Sequence, residues 1–133
     1  METSTKNYEH VYKTIQKSLK EYLDTYGIKN VVLGISGGID STVVAAIVHG
    51  MKDVHLIGVS MPCSTNKKNE VSAASKVGKE FCDTFIEHDI QDAFSVMEKH
   101  CREISGMDST PISQGNIKAR LRMIALYDIA SKA

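Results

Sequence analysis

This chain of 133 residues has no net charge: 16 lysines and arginines stand against 16 aspartates and glutamates, with no block of one sign. That balance excludes, as an expectation, a nucleic-acid partner or an anionic membrane surface, both of which call for an excess of cations. No apolar run approaches the ~20 residues that cross a bilayer. Met1-Glu2-Thr3-Ser4 does not begin a basic patch followed by an apolar segment, so no secretory signal is predicted. Cysteines are few. Cys63, Cys82 and Cys101 are odd in number and widely spaced, which predicts reduced thiols and a cytoplasmic protein rather than a disulfide framework. Internal repeats and low-complexity segments are missing too. What is left is a single domain, 1–133, long enough to bury a core without staples.

The apolar residues that are present fall into two periodicities. Tyr8, Val11, Tyr12, Ile15, Leu19, Tyr22, Leu23 and Tyr26 make one helical stripe, which Gly27 ends as a C-cap. Residues 1–27 are therefore expected to form an amphipathic helix packed through its tyrosine-rich face. Strands are expected at 30–35, 54–59 and 85–88, with a helix at about 41–49 capped by Gly50. A polar loop should follow Pro62. The next helix should turn Val71, Ala74, Val77 (or Gly78), Phe81 and Phe85 inward. A further helix, marked by Phe94, Met97, Cys101 and Ile104, should stop at Gly106. After a loop at 105–114, a last helix is expected from about 115 to 131. Strands separated by helices predict an α/β fold, a doubly wound parallel sheet with helices on both faces. Ligands of such sheets collect at the carboxyl ends of the strands.

The first strand runs directly into Gly34-Ile35-Ser36-Gly37-Gly38-Ile39-Asp40-Ser41 and then into an apolar helix. Adjacent glycines let a backbone approach an anion closely, and the N–H groups opening the helix point at it. Asp40 is the odd residue, since a carboxylate beside a phosphate is repulsive unless a cation lies between them. Magnesium is the expected cation, with Asp40 as its ligand. The plainer role open to Asp40 is that of an N-cap. The loop is not a Walker A sequence, because Ile39-Asp40 stands where a lysine is required. Its glycine spacing does not fit the dinucleotide fingerprint either.

Ser-Gly-Gly-x-Asp-Ser resembles the loop of the PP-loop ATP pyrophosphatases. Later segments narrow the resemblance: Ile57-Gly58-Val59-Ser60-Met61-Pro62, then Asp89-Ile90 with Phe94, then Gly115-Asn116-Ile117-Lys118-Ala119-Arg120-Leu121-Arg122-Met123. In order and wording they resemble the ammonia-dependent NAD synthetases over roughly residues 8–131. The resemblance implies an adenine nucleotide alpha hydrolase-like, Rossmann-like sheet, here stopping after about three strands. It also implies that Gly34, Ile35, Ser36, Gly37, Gly38, Ile39, Asp40, Ser41 and Met61 bind ATP, with Mg2+ on Asp40, and that Asn116 and Arg120 bind deamido-NAD.

On the last helix Asn116, Arg120, Met123 and Tyr127 share one face, and Lys118 and Arg122 the other. The implied reaction adenylates the deamido-NAD carboxylate, releases pyrophosphate, and lets ammonia displace AMP. It needs no protein nucleophile. Cys63 has neither a neighbouring histidine nor a Cys-x-x-Cys partner, and the histidines have no metal-ligand spacing. Members of this family continue beyond the segments matched here, so the chain is expected to be a portion that is inactive alone. The resemblance also implies a homodimer of the whole enzyme, for which Ile117, Leu121, Ile124, Leu126 and Ile129 are candidate contacts. The alternatives are another PP-loop enzyme, of the tRNA-thiolating or GMP synthetase kind, and a non-catalytic ATP-binding module.

Overall fold

A computed structural model describes residues 5–64 and 68–133. Met1 to Ser4, and Thr65 and Asn66 of the expected polar loop, lie outside the described residues. The element order is α1 (Thr5–Thr25), β1 (Asn30–Gly34), α2 (Ile39–His49), β2 (His55–Ser60), α3 (Lys68–Phe81), β3 (Thr84–Glu87), α4 (Gln91–Ser105) and α5 (Pro111–Lys132). The three strands form one parallel sheet in the order β1-β2-β3. Every expected strand and helix is present, with ends shifted by a few residues.

Strand alternation sorts the layers. Val31, Leu33 and Ile35 join Leu56, Ala45, Val48 and Ala74 in the cluster under α2 and α3. Gly34 faces the other way, where a Cβ would come within 3.3 Å of Leu126 Cδ1 on α5. Helices therefore cover both faces, as a parallel sheet requires. In α3, Ala74, Val77 and Phe81 turn inward as the periodicity predicts, and Phe85 packs beside them from β3.

Two expectations need correction. The tyrosine face of α1 is not buried: Leu23 is buried and Leu19 packs on the core, but Tyr8, Val11, Ile15, Tyr22 and Tyr26 are exposed. The cause is length. A helix of 21 residues spans ~31 Å and lies chiefly on α2, whose 11 residues span only ~16 Å. The contact is close where it forms. Gln16 Nε2 donates to Ile47 O at 2.9 Å, and a side chain at Gly50 would collide with Tyr12 Oη.

The second correction is the start of α5, which comes at Pro111 rather than near 115. Thr110 is its N-cap. The Ser113 N–H donates to Thr110 Oγ1 at 3.1 Å, and the Thr110 N–H donates to Ser113 Oγ at 2.9 Å. This reciprocal box with proline at N1 shortens the loop after Gly106. Ser109 just before it donates to Glu98 Oε1 of α4 at 2.8 Å, and Arg102 Nε donates to the same oxygen at 2.9 Å. The hydrogen bond from Ser109, followed by the contacts with Arg102, lowers the Glu98 carboxyl below its usual range.

At the amino ends of the strands, a shallow hollow is lined by Lys29, Asp53, Val54, His55 and Asp83. Its polar groups are largely spent on one another. Asp83 Oδ2 accepts from the Leu56 N–H at 2.7 Å, His55 Nε2 lies 2.8 Å from Thr84 Oγ1, and the His55 N–H donates to Lys29 O at 2.8 Å.

Candidate functional site

The opposite end of the sheet is open. The Ile35 N–H still donates to Val59 O at 2.8 Å, one step beyond the last residue of β1. The chain then leaves the sheet through Ser36, Gly37 and Gly38 and enters α2. Gly37 has φ +85, and a Cβ there would lie 2.7 Å from Glu70 O and 3.0 Å from Ala74 N of α3. Only glycine satisfies both the dihedral and the gap. Gly38 is the N-cap of α2 in extended conformation and contributes no side-chain bond.

Helix α2 starts two residues earlier than the expected 41, so Asp40 and Ser41 sit in its first turn. Asp40 is therefore inside the helix rather than at the cap, and the capping role considered for it does not hold. Its carboxylate is exposed at the helix N-terminus, where the aligned peptide dipoles favour negative charge.

The two serines shape the loop before they meet any ligand. Ser36 Oγ accepts from the Gly38 N–H at 3.2 Å and lies 3.1 Å from Ser41 Oγ. Ser41 Oγ in turn accepts from the Ser36 N–H at 3.3 Å and donates to Gly38 O at 3.3 Å. The hydroxyls hold the turn in a ring, and the exposed backbone around Gly38 faces outward.

Beside this loop lies a crevice of about 250 Å3 at the carboxyl ends of β1 and β2. Gly34, Ile35 and Ser36 form one wall, Val59, Ser60, Met61 and Pro62 the next. Glu70, Val71 and Ala74 of α3 and Arg122 and Leu126 of α5 close it. Ile35, Val59, Ser60 and Met61 are each under a tenth exposed. Of the residues expected to bind ATP, the structure places Gly34, Ile35, Ser36 and Met61 in the crevice lining, and Gly37, Gly38, Ile39, Asp40 and Ser41 in the adjoining turn.

Asn116 and Arg120 lie elsewhere. Both are exposed, on the face of α5 that also carries Met123 and Tyr127, and they do not line the crevice. Arg120 Nη1 reaches Asn116 O at 3.5 Å along the helix. The opposite face turns inward, with Lys118 Nζ 4.8 Å from the centre of the Phe94 ring and Arg122 Nε donating to Met61 O at 2.9 Å. Sequence reasoning passed over Arg122 and Leu126 as site residues. The stripe Ile117, Leu121, Ala125, Ile129 at i+4 spacing carries the signal for that face.

Cys63 is buried, with Sγ 4.0 Å from Arg122 Nη2. Cys82 packs under Gly58, and burial, followed by Asp83, pushes its thiol up. Among the described residues, no group of three or more His, Cys, Asp and Glu side chains is placed to hold a metal. A single exposed carboxylate beside a glycine turn at a helix N-terminus still fits Mg2+, which typically takes one or two carboxylates and completes its shell with water and substrate phosphate.

Residues 11–133 match the sequence profile of a family described as NAD synthase. An NH(3)-dependent NAD(+) synthetase of Finegoldia magna is 32% identical over 124 residues, covering 91% of this chain and 48% of that protein. One from Wolinella succinogenes is 37% identical over 115 residues, covering 86% of this chain and 42% of that protein. Among solved structures, the NH3-dependent NAD synthetase of Campylobacter jejuni in complex with the nitrate ion superposes with a TM-score of 0.80 at 26% identity. That match covers 93% of this chain and 52% of the other. The chain thus spans less than half the length of these two curated relatives, and with the family profile matched over residues 11–133 it belongs to the NAD synthase family.

Proposed function

We propose that this chain forms the ATP-binding portion of an enzyme that amidates deamido-NAD to NAD. The observation that carries the reading is the apolar crevice at the ends of β1 and β2, opening beside a glycine turn at a helix N-terminus. A volume of about 250 Å3 suits a base and ribose rather than a whole nucleotide. The triphosphate then extends over the exposed turn of Ser36, Gly37, Gly38, Asp40 and Ser41. There the backbone N–H groups and the α2 dipole offset the charge that builds up on the departing pyrophosphate.

The chemistry asks for placement rather than a protein nucleophile. A carboxylate oxygen of deamido-NAD attacks the α-phosphorus of ATP, the bond to the β-phosphate oxygen breaks, and NAD-adenylate and pyrophosphate result. Ammonia adds to the activated carbonyl and AMP leaves, giving the amide. Asp40 would hold Mg2+, which when bound neutralises phosphate charge. Gly34, Val59, Ser60 and Met61 orient the nucleoside, and the apolar walls of Ile35, Val59 and Met61 exclude water from around it.

Arg120 with Asn116 supplies donors for the deamido-NAD molecule on the outer face of α5, where a guanidinium fork suits a phosphate or carboxylate. The same outer face, with Ile124 and Tyr127 exposed, is the contact by which two copies would pair, whereas Ile117, Leu121, Leu126 and Ile129, expected there too, are half-buried. No described helix is long and apolar enough to cross a membrane, and the neutral charge balance and three cysteines outside any disulfide support a cytoplasmic setting.

Titration calorimetry tests the reading. ATP with Mg2+ should bind, and deamido-NAD added to the loaded chain should give a second heat. Asp40→Ala should weaken ATP by roughly tenfold with Mg2+ present and hardly at all in its absence. An Asp40→Ala chain that keeps full Mg2+-dependent affinity would remove the metal role, and no ATP binding at all would remove the function.

A further inference from the structure

Arg122 occupies a place in the hydrogen-bond pattern that belongs to a strand. Along the carboxyl end of β2 the carbonyls alternate in direction. Val59 O accepts from Ile35 on the β1 side, at 2.8 Å. Ser60 O accepts from His88 on the β3 side at 2.9 Å, and Pro62 O accepts from Ile90 on that same side at 2.9 Å. Met61 O faces the β1 side, where the next donor of a continuing ladder would be an N–H two residues beyond Ile35. That residue is Gly37, and the chain has by then turned away into the glycine loop. Met61 is buried, so its carbonyl has little access to water and leaving it without a donor would be costly. Arg122 Nε supplies the donor at 2.9 Å from α5.

We propose, resting on the nucleotide reading above, that Arg122 is the positioning residue that keeps the crevice open. It replaces the departing strand as the partner of Met61 O, fastening the β2–α3 connection to α5 across the mouth where base and ribose lie. Its guanidinium reaches on toward Cys63 Sγ, 4.0 Å from Nη2, so two buried residues of one connection are gathered by one side chain. The same helix presents Asn116 and Arg120 on its other face, so the clamp also fixes where that face stands relative to the crevice.

Arg122→Met keeps an apolar stem of similar reach and removes the donors; Arg122→Lys keeps the charge and one flexible donor. NMR titration of each with Mg-ATP, and separately with adenosine, distinguishes clamping from charge. A clamp predicts that Arg122→Met loses roughly tenfold in affinity for both ligands, with Lys restoring part of each. The signal of Arg122 Nε–H should also be protected from exchange in the unsubstituted chain. A loss confined to Mg-ATP and fully restored by Lys would mean that Arg122 only attracts phosphate, and would overturn the proposal. Asp83→Ala, which destabilises the opposite end of the sheet, serves as the comparison for stability. Equal loss of affinity there would also overturn the proposal, by making the effect one of general unfolding. Unchanged binding by Arg122→Met would reject the clamp and leave the nucleotide reading in place, whereas failure of the unsubstituted chain to bind Mg-ATP would reject the reading and the clamp with it.

Discussion

The two ends of the sheet are both concave, yet the groups at one are spent on each other while the other opens into an apolar crevice. At the amino ends, Asp83, His55 and Thr84 are spent on the backbone and on each other, and each bond closes a connection between neighbouring strands. At the carboxyl ends, β1 leaves the sheet two residues before β2 does. That mismatch opens a gap with apolar walls, and the glycine turn aims the α2 N-terminus beside it. The helices α2 and α3 point their positive ends toward this side and their negative ends toward the other. The difference between the ends is one of unfinished pairing rather than of composition.

Substitutions at the two ends should therefore separate binding from stability. The largest effect is expected for Gly37→Ala. Forcing φ +85 on an L side chain, with α3 backbone 2.7 Å away, costs about 1–3 kcal/mol from the dihedral alone and displaces the turn from α3. Mg-ATP binding should vanish in calorimetry while circular dichroism still shows a folded chain. Retained affinity would show that the turn does not set the phosphate site.

Asp83→Ala reverses the pattern. The Leu56 N–H, in a residue with no exposed surface, loses its acceptor, at a cost of about 1–2 kcal/mol. The thermal midpoint should drop with ATP affinity unchanged, and a parallel loss of affinity would mean that binding simply follows overall stability. The smallest effect is expected away from both ends, at Ser109→Ala. The Glu98 carboxyl lies below its ordinary value of 4.5 in the folded chain. Its stabilising contribution is thus present above that value and is lost as pH falls below it through the folded-state value. Without Ser109 the folded value rises toward the unfolded one, so stability should decline less steeply with acid below about pH 4.5. Denaturant titrations at several acid pH values would measure the slope, and an unchanged slope would show that Ser109 does not set the Glu98 carboxyl.

Much of this was legible in the sequence because it is local. The glycine turn, its strand and its helix are contiguous, and the hydroxyl and glycine positions carry their own geometric requirements. Met61 was named through the resemblance of Ile57-Gly58-Val59-Ser60-Met61-Pro62 to the NAD synthetases rather than through any periodicity. The capping box at Thr110 and Ser113 was also there to be read, but Gly115, four residues after the true start at Pro111, drew the expected start of α5 too far along the chain. The face of α5 was harder. Helical spacing separated Arg120 from Arg122 without saying which side meets the sheet, and both sides carry apolar and basic residues. Which face turns inward depends on Gly34 admitting Leu126, a tertiary fact. The tyrosine stripe of α1 misled for a related reason: periodicity shows that one face is apolar and is silent on how much surface is available to cover it.

That overhanging helix has an optical consequence. The chain contains no tryptophan and five tyrosines, three of them at positions 8, 12 and 22 on α1, one at 26 just past its end and one at 127 on the outer face of α5. The rings of Tyr22 and Tyr26 lie 4.9 Å apart. Intrinsic emission from this protein is thus a beacon mounted on its outer helices, while the crevice lining contains no fluorophore. Detachment of α1 from α2 would register in ultraviolet emission before any loss of the sheet. The crevice end of the sheet, spectrally silent by itself, is free to be tested with a fluorescent adenine analogue against no tryptophan background.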